Sequence, residues 1–487
     1  MPEYATKEEL EDKTLESLAD VDAPDPDDEE APVWNKNSTA YKPRKLTYRN
    51  LHDSIYGANV KGEASMKAAF EAAIEDAIGR TLYIPKGTHL GSGLVIPDNA
   101  GITLVGDGES TIFKFDAEKN VLFDMGVGSR IEGIKIEGNR EGSGSSTGDM
   151  VNASLCPEFE LGHIWIVSPK GKGVKFSNAH DVYIHDVQVV DPGSIGVLGE
   201  LNSSATVNGT NVLIERCIVD ATAGNTGEND SFKLSRSSTD RQWEGAHFHH
   251  CASKQPEGAA TGMGFELEVP LACTVSSCKV DGGRYGISFA RGEKDLAIGN
   301  VVSSVNTIGI ELSGSLGGRA IGNHLEKVAL NGIAVNDNSG NRQPDQLVVA
   351  ENVIKGCGQN AIRIYRPITI GVSGNQVHHE AVEAEKAAVW LQATGTGSAM
   401  RLTLDGNDID GGGVANRGLY FECVKEPATY LRGGNHIHDF ITYGAFFHNG
   451  KFIGVMSNTY SGNATANEAF GEAVEHGELK KATVEAT

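Results

Sequence analysis

Three stretches of equal length decide the fold: GFELEVPLACTVSSC (264–278), GISFARGEKDLAIGN (286–300) and GIELSGSLGGRAIGN (309–323). Each opens on a glycine, alternates apolar and variable positions, and closes on Cys or Asn fourteen residues after the start. Working outward, the opening phrase recurs as GVKFS (173), SFKLS (231), GIAVN (332), AIRIY (361), AVWLQ (388), GLYFE (418) and GAFFH (444). From Ser231 the spacings are 33, 22, 23, 23, 29, 27, 30 and 26 residues, a floor of 22 with insertions above it. A fixed minimum with variable excess is what a coil with loops of different length produces.

Within each phrase the first and third positions after the small residue are apolar, as in Phe265 and Leu267 or Ile310 and Leu312. Period two means a strand with one buried face. Strands of about four residues, about three per coil, stacked parallel at ~4.8 Å, describe an all-β fold, a parallel β-helix. The closing residue recurs as Cys278, Asn300, Asn323, Asn375 and Asn458 at offset fourteen, and as Cys217, Cys251, Asn352, Asn407 and Asn435 in coils with insertions. Asparagine can bond the turn backbone and its own copies in neighbouring coils, and it tolerates left-handed backbone angles, so a ladder is expected here.

Composition agrees. Sixty glycines among 487 residues is about 12 %, against a usual ~7 %, with no collagen period. The net charge of −23 opposes contact with nucleic acid or anionic lipid. Residues 1–32 hold 13 acids and two lysines, a net −11, which leaves −12 for the other 455. No stretch is long and apolar enough to span a membrane, and the N-terminus lacks a signal-peptide pattern, so a chain made in the cytoplasm without membrane insertion is expected. Seven cysteines without a CxxC pair are expected as reduced, mostly buried thiols.

A solenoid must cover its open ends. Residues 63–79, EASMKAAFEAAIEDAIG, place Met66, Ala69, Phe70, Ala73, Ile74, Ala77 and Ile78 at helical spacing before Gly79, which predicts a capping helix. The helix, then TLYIPKGTHL (81–90), then GITLVGDGESTIFKF (101–115), resembles the start of the pectate-lyase-like right-handed β-helix superfamily, which includes many phage tailspikes. That resemblance implies the fold and leaves the chemistry open, since the superfamily holds lyases, hydrolases, epimerases and adhesins. Residues 18–46, LADVDAPDPDDEEAPVWNKNSTAYKPRKL, resemble a module of bacteriophage tail fibres and tailspikes, except that Glu29, Glu30 and Ala31 replace the usual turn glycine.

The chain then divides into an N-terminal docking or trimerising helix (1–17), a connector module (18–50), the cap and first coils (51–120), the β-helix body (121–463) and a C-terminal tail (464–487), read as a loose helix or unstructured end. The resemblance implies a virion tail spike or tail fibre that binds host cell-surface polysaccharide, assembled as a homotrimer and attached to virion tail or baseplate proteins through residues 1–50. The alternatives are a free polysaccharide lyase or glycoside hydrolase and a non-viral surface adhesin.

Positions between the buried ones point outward and form columns up one face. Two regions of interest result. Glu266, Glu268 and Glu311 beside Lys233 could bring carboxyls within the ~5 to 9.5 Å used in glycoside hydrolysis. The alternative is a solvated acidic face balanced by nearby arginines, an ordinary use of outward strand positions. Trp390, Tyr420 and Phe446 in three successive coils, with Tyr365, Arg363, Gln392, Glu422 and His448 alongside, are expected to form an exposed stripe that binds sugar rings, or else an interface between subunits. Histidines at 247–250, 378–379 and 436–438 lack carboxylates at ligand spacing in the sequence, so neither a metal site nor a cofactor is expected.

Overall fold

The apolar face at 66–77 does form a helix, Lys67–Asp76, in the computed structural model of the chain. Met66, Ala69, Phe70, Ala73, Ile74 and Ala77 are buried, and Phe70 meets Phe123 of the coil it covers at 6.0 Å between ring centroids. Ile78 departs from the expectation: the helix ends two residues earlier at Asp76, Gly79 turns left-handed at φ 70°, and the Ile78 side chain is left 56 % exposed. The structure describes residues 30–33, 42–45, 48–52, 56–58, 61–98, 100–116, 120–139, 148–222, 229–237, 241–337, 342–381, 386–393, 400–423, 429–448, 450–470, 474–481 and 484–485. The expected docking helix at 1–17 lies outside them. Of the connector, Glu30–Val33 pairs antiparallel with Lys42–Lys45.

The body is a right-handed parallel β-solenoid of about 13 turns. One wall is a single parallel sheet of 15 strands, from Leu94–Val95 at the capped end to Ala466–Phe470. Most other strands of the solenoid form two more parallel stacks, and Gly209–Thr210, Trp243–Glu244 and Pro270–Leu271 form a separate three-stranded parallel sheet. In early coils one long strand, such as Glu160–Val167 or Val182–Val190, runs through both; in later coils two short ones replace it, such as Thr274–Ser276 and Lys279–Asp281. At this corner the residues Gly133, His163, Asp186, Arg216, His250, Ser277, Gly299, Gly322, Glu351, Gly374 and Gly406 all adopt φ between 51° and 67°.

The ladder occupies the position directly after that corner. From Cys217 through Cys251, Cys278, Asn300, Asn323, Asn352, Asn375, Asn407 and Asn435 to Asn458, every member is buried. Each asparagine from Asn300 to Asn435 donates Nδ2–H to the Oδ1 of the next, at 2.7–3.0 Å, and its backbone N–H goes to that same oxygen. The ladder is as the spacing implied, but its backbone explanation needs correction. No ladder residue is itself left-handed, and as far as Asn407 that angle belongs to the preceding residue, so the asparagines are there for their hydrogen bonds.

Inside the coil, aromatic rings stack along the axis, with Phe232 and Phe265 4.8 Å apart at an interplanar angle of 5°. One coil escaped the sequence pattern. Val197–Leu201 lies between Val174–Ser177 and Phe232–Arg236 in the 15-stranded sheet. Its third position is Gly199, where a Cβ would come within 2.6 Å of Phe176 and Leu234, so those two side chains fill the space and the alternation is lost. The C-terminal expectation is also corrected. Ala466–Phe470, Val474–Lys481 and Val484–Glu485 pair in parallel with the coil beneath and continue the solenoid, because ladder pairing supplies the order that an apolar pattern does not. Among the described residues no helix is long and apolar enough to cross a membrane. Cys156, Cys217, Cys251, Cys273, Cys278 and Cys357 are free and buried.

Candidate functional site

Alternation fixes which side chains leave the 15-stranded sheet. Strand register places Lys233, Glu266, Ser288, Glu311, Ala334, Arg363, Trp390, Tyr420 and Phe446 in one outward column. A second column carries Tyr365, Gln392, Glu422 and His448.

In the lower region Lys233 Nζ sits 2.7 Å from Glu266 Oε2 and 3.3 Å from Asp230 Oδ2. All three are largely withdrawn from water, with side chains 12 %, 14 % and 6 % exposed. Burial pushes the Glu266 carboxyl above its usual range and the Asp230 charge pushes it further, against the opposing pull of Lys233. Glu268 accepts the Arg236 backbone N–H at 3.0 Å. Glu311 stands two coils above Glu266, about 10 Å by coil spacing, and both its oxygens are engaged, by Ser288 Oγ at 2.9 Å and Asn336 Nδ2 at 2.8 Å. The three glutamates therefore share a face, while the close carboxyl neighbour of Glu266 is Asp230.

Beside this group opens a cleft of about 340 Å³, whose charged walls are Lys172, Lys233, Arg236, Glu200 and Glu268. Glu200 pairs with Lys175 at 3.4 Å. Lys172 pairs with Asp149 at 3.6 Å, and Lys233 with Glu266 and Asp230, so the cleft is lined by paired charges of both signs.

The upper region differs from the exposed stripe that was expected. Trp390, Tyr420 and Phe446 do follow one another at 5.9 and 5.7 Å between centroids, but they lie against each other, and Tyr420 is only 9 % exposed. One-coil spacing is close to ring thickness plus contact distance, so neighbours cover one another's faces. Cations cover the rest: Arg417 lies 4.7 Å from the Tyr420 ring centroid and 4.8 Å from that of Phe446, and Arg363 lies 5.6 Å from Trp390 and 5.9 Å from Tyr365. Gln392 Nε2 donates to Glu422 at 3.2 Å. Trp390 Nε1 is buried with no partner among the described residues. Trp390 and Phe446 remain half-buried, so the row offers ring edges between guanidinium groups.

Carboxylates absent at ligand spacing in the sequence do lie beside two of the histidine groups. Asp408 lies 2.9 Å from His436 and 3.4 Å from His438, while Asp410 lies 2.7 Å from His378. These carboxylates belong to neighbouring coils, 28 and 32 residues away in sequence, which linear spacing could not show.

Comparison with known proteins places the fold. Residues 259–409 match the family described as the right handed beta helix region. The N-terminal fragment of the bacteriophage phi29 gene product 12 is similar in structure, with a TM-score of 0.57 at 12 % identity, covering 85 % of this chain and 86 % of that one. The catalytic unit of an α-1,3-glucanase from Streptomyces thermodiastaticus gives 0.44 at 16 % identity over 88 % of this chain and 70 % of that one. The A-module of the mannuronan C-5 epimerase AlgE4 from Azotobacter vinelandii gives 0.41 at 14 % over 88 % and 99 %. No curated protein sequence matches the chain.

Sequence reading missed Asp230, Lys172 and Glu200. Asp230 was within reach, since it directly precedes the SFKLS phrase at a strand entry. Lys172 and Glu200 flank coils whose phrases are broken or lie below the continuous run.

Proposed function

We propose that this chain is a bacteriophage-type tail spike or tail fibre whose β-helix flank binds a host cell-surface polysaccharide. The observation that carries this reading is the outward face of the long sheet, which presents both a charged cleft lined by Lys172, Lys233, Arg236, Glu200 and Glu268 and a row of rings bracketed by Arg363 and Arg417. Guanidinium and ammonium groups meet sugar hydroxyls and acidic substituents, and the accessible parts of the half-buried Trp390 and Phe446 add apolar surface for the C–H groups of a pyranose. The phage origin of the phi29 fragment and the tail-fibre-like module at 18–46 support placement on a virion tail, with residues 1–50 docking to tail or baseplate proteins. A homotrimer about an axis parallel to the coil fits that role.

A second reading adds cleavage of the bound chain, and the Asp230–Lys233–Glu266 group favours it. Glu266, held protonated more readily than an ordinary carboxyl, is suited to be a general acid. One experiment tests both. The purified chain is incubated with surface polysaccharides of candidate hosts, with binding measured by calorimetry and chain length by gel filtration. Binding is expected, weakened at least about tenfold by Trp390→Ala without loss of the folded circular dichroism spectrum. Unchanged affinity in that variant, or no binding to any glycan, overturns the glycan-face reading. Intact chains after incubation remove the cleavage reading; shortening that persists in Glu266→Gln removes Glu266 as the acid.

A further inference from the structure

Near the far end of the coil, Asp408–Asp410 and His436–His438 are successive strands of one stack, with Asp408 beside His436 and Asp410 beside His438. Ile409 and Ile437 between them are buried, so all four polar side chains project from the outer surface. The next residue, Asp439, is left-handed at φ 59°, and its carboxylate reaches back to His438.

The donor atoms converge. One carboxylate oxygen of Asp408 and one ring nitrogen each of His436 and His438 lie within 4.8 Å of one another. Asp408 Oδ1 is 2.9 Å from His436 Nδ1 and 3.4 Å from His438 Nε2. A zinc ion bound at ~2.0–2.1 Å wants tetrahedral donors about 3.3 Å apart, so small rotations of these side chains would close the set. Two of the three, Asp408 and His436, are about half-exposed and free to make that adjustment.

The remaining ring nitrogens point independently to a cation. Metal-bound histidine characteristically gives its other N–H to a carboxylate or similar acceptor, which fixes the tautomer and raises ligand basicity. His438 has Nδ1 2.8 Å from Asp439 Oδ2 and 3.6 Å from Asp410 Oδ1, leaving Nε2 for the ion. His436 has Nε2 3.4 Å from Ser461 Oγ, leaving Nδ1 for the ion. Both donor nitrogens and both supporting contacts are thus on the correct sides of their rings. Asp410 is engaged by His378 at 2.7 Å, so the carboxylates nearest the two donor imidazoles are those of Asp408 and Asp439.

A comparable trio, His163, His185 and Asp186, does not share these features, because Arg216 already occupies both Asp186 oxygens at 2.9 Å. We propose that Asp408, His436 and His438 form a binding site for a divalent transition metal of the zinc class, with Asp439 and Asp410 orienting His438. The ion would join two successive coils through side chains and keep a water-accessible position on its outer side.

The test uses the untagged full-length chain, stripped with chelator and titrated with Co²⁺ and then Zn²⁺. One saturable equivalent is expected, with cobalt d–d absorption that Zn²⁺ abolishes and a rise in unfolding temperature that chelator reverses. His438→Gln and Asp408→Asn should each remove the cobalt spectrum. Asp439→Asn should keep it while weakening affinity about 10- to 100-fold, as loss of an orienting partner does. His185→Gln should change nothing. Absence of a saturable equivalent, or a spectrum and affinity unaltered in both His438→Gln and Asp408→Asn, overturns the site. Circular dichroism identifies a variant that has unfolded, and the other then decides.

Discussion

The position that follows the left-handed corner is filled in two ways along one solenoid. Its middle coils use Cys217, Cys251 and Cys278, and the coils above use seven asparagines from Asn300 to Asn458. Both kinds serve the same carbonyl series: Cys251 Sγ donates to Ile214 O at 3.3 Å and Cys278 Sγ to Phe248 O at 3.6 Å, where Asn300 Nδ2 donates to Val275 O at 2.9 Å. The asparagines also bond each other through their side-chain amides at 2.7–3.0 Å, where the thiols have only a weak contact such as the Cys251 backbone N–H to Cys278 Sγ at 3.4 Å. A thiol is a weak donor with little acceptor strength, so the lower run is held by packing against neighbours such as Phe248, while the upper run is a continuous polar chain inside an apolar coil. The difference teaches that register in the upper coils is specified by hydrogen bonds and in the lower ones by shape.

Breaking the polar run should give the largest effect. Asn352→Ala removes the acceptor for the Asn323 backbone N–H and Nδ2–H, and the donor to Ala320 O and Asn375 Oδ1, four contacts of 2.9–3.0 Å. Leaving such buried groups unpaired should cost about 4 kcal/mol, read as a lowered urea midpoint.

Next comes a carboxylate at a different interior corner. Asp295 is fully buried, accepts the Cys273 backbone N–H at 3.0 Å through Oδ1, and has no partner for Oδ2 among the described residues. Burial raises its pKa to about 8, with Glu293 adding and the Cys273 N–H and Arg342 opposing. The folded state therefore binds a proton that the unfolded chain has released above ~4, and the stability this carboxyl supplies falls as pH rises from ~4 to about 8. Asp295→Asn keeps the accepting oxygen and removes the titration. Its gain over wild type should grow steadily from near zero at pH 4 up to pH 8, measured by denaturation across that range. A gain independent of pH would contradict the assignment.

These contrasts explain what could be read from the sequence. The alternation at 264–312 and the offset of fourteen were legible because parallel coils in register force the same chemistry to recur at the same place. The Gly199 coil was not, because two large neighbours supply its missing side chain. The outward columns were legible in order but not in environment: that Tyr420 is covered by Arg417, or that Glu266 neighbours Asp230, depends on rotamers and on a strand entry. The Asp408–His436–His438 group joins residues from different coils, and insertions of varying length hide that register until the strands are paired.

The smallest effect is expected where the two runs meet. Cys278 accepts the Cys251 backbone N–H at 3.4 Å, and its own backbone N–H donates to Asn300 Oδ1 at 2.9 Å, so it is the last thiol below the first amide. Cys278→Ala removes the weak bonds of one thiol and a small volume and should cost about 1 kcal/mol, a quarter of the Asn352→Ala loss. Cys278→Asn sharpens the comparison further. Its Nδ2 could reach both Phe248 O and Asn300 Oδ1, and its Oδ1 the Cys251 N–H, which would extend the polar chain by one rung. If that variant is more stable than Cys278→Ala in urea, hydrogen bonding alone separates the two runs. If it is less stable, the aromatic packing around Phe248 leaves no room for an amide, and shape decides where the ladder of asparagines can begin.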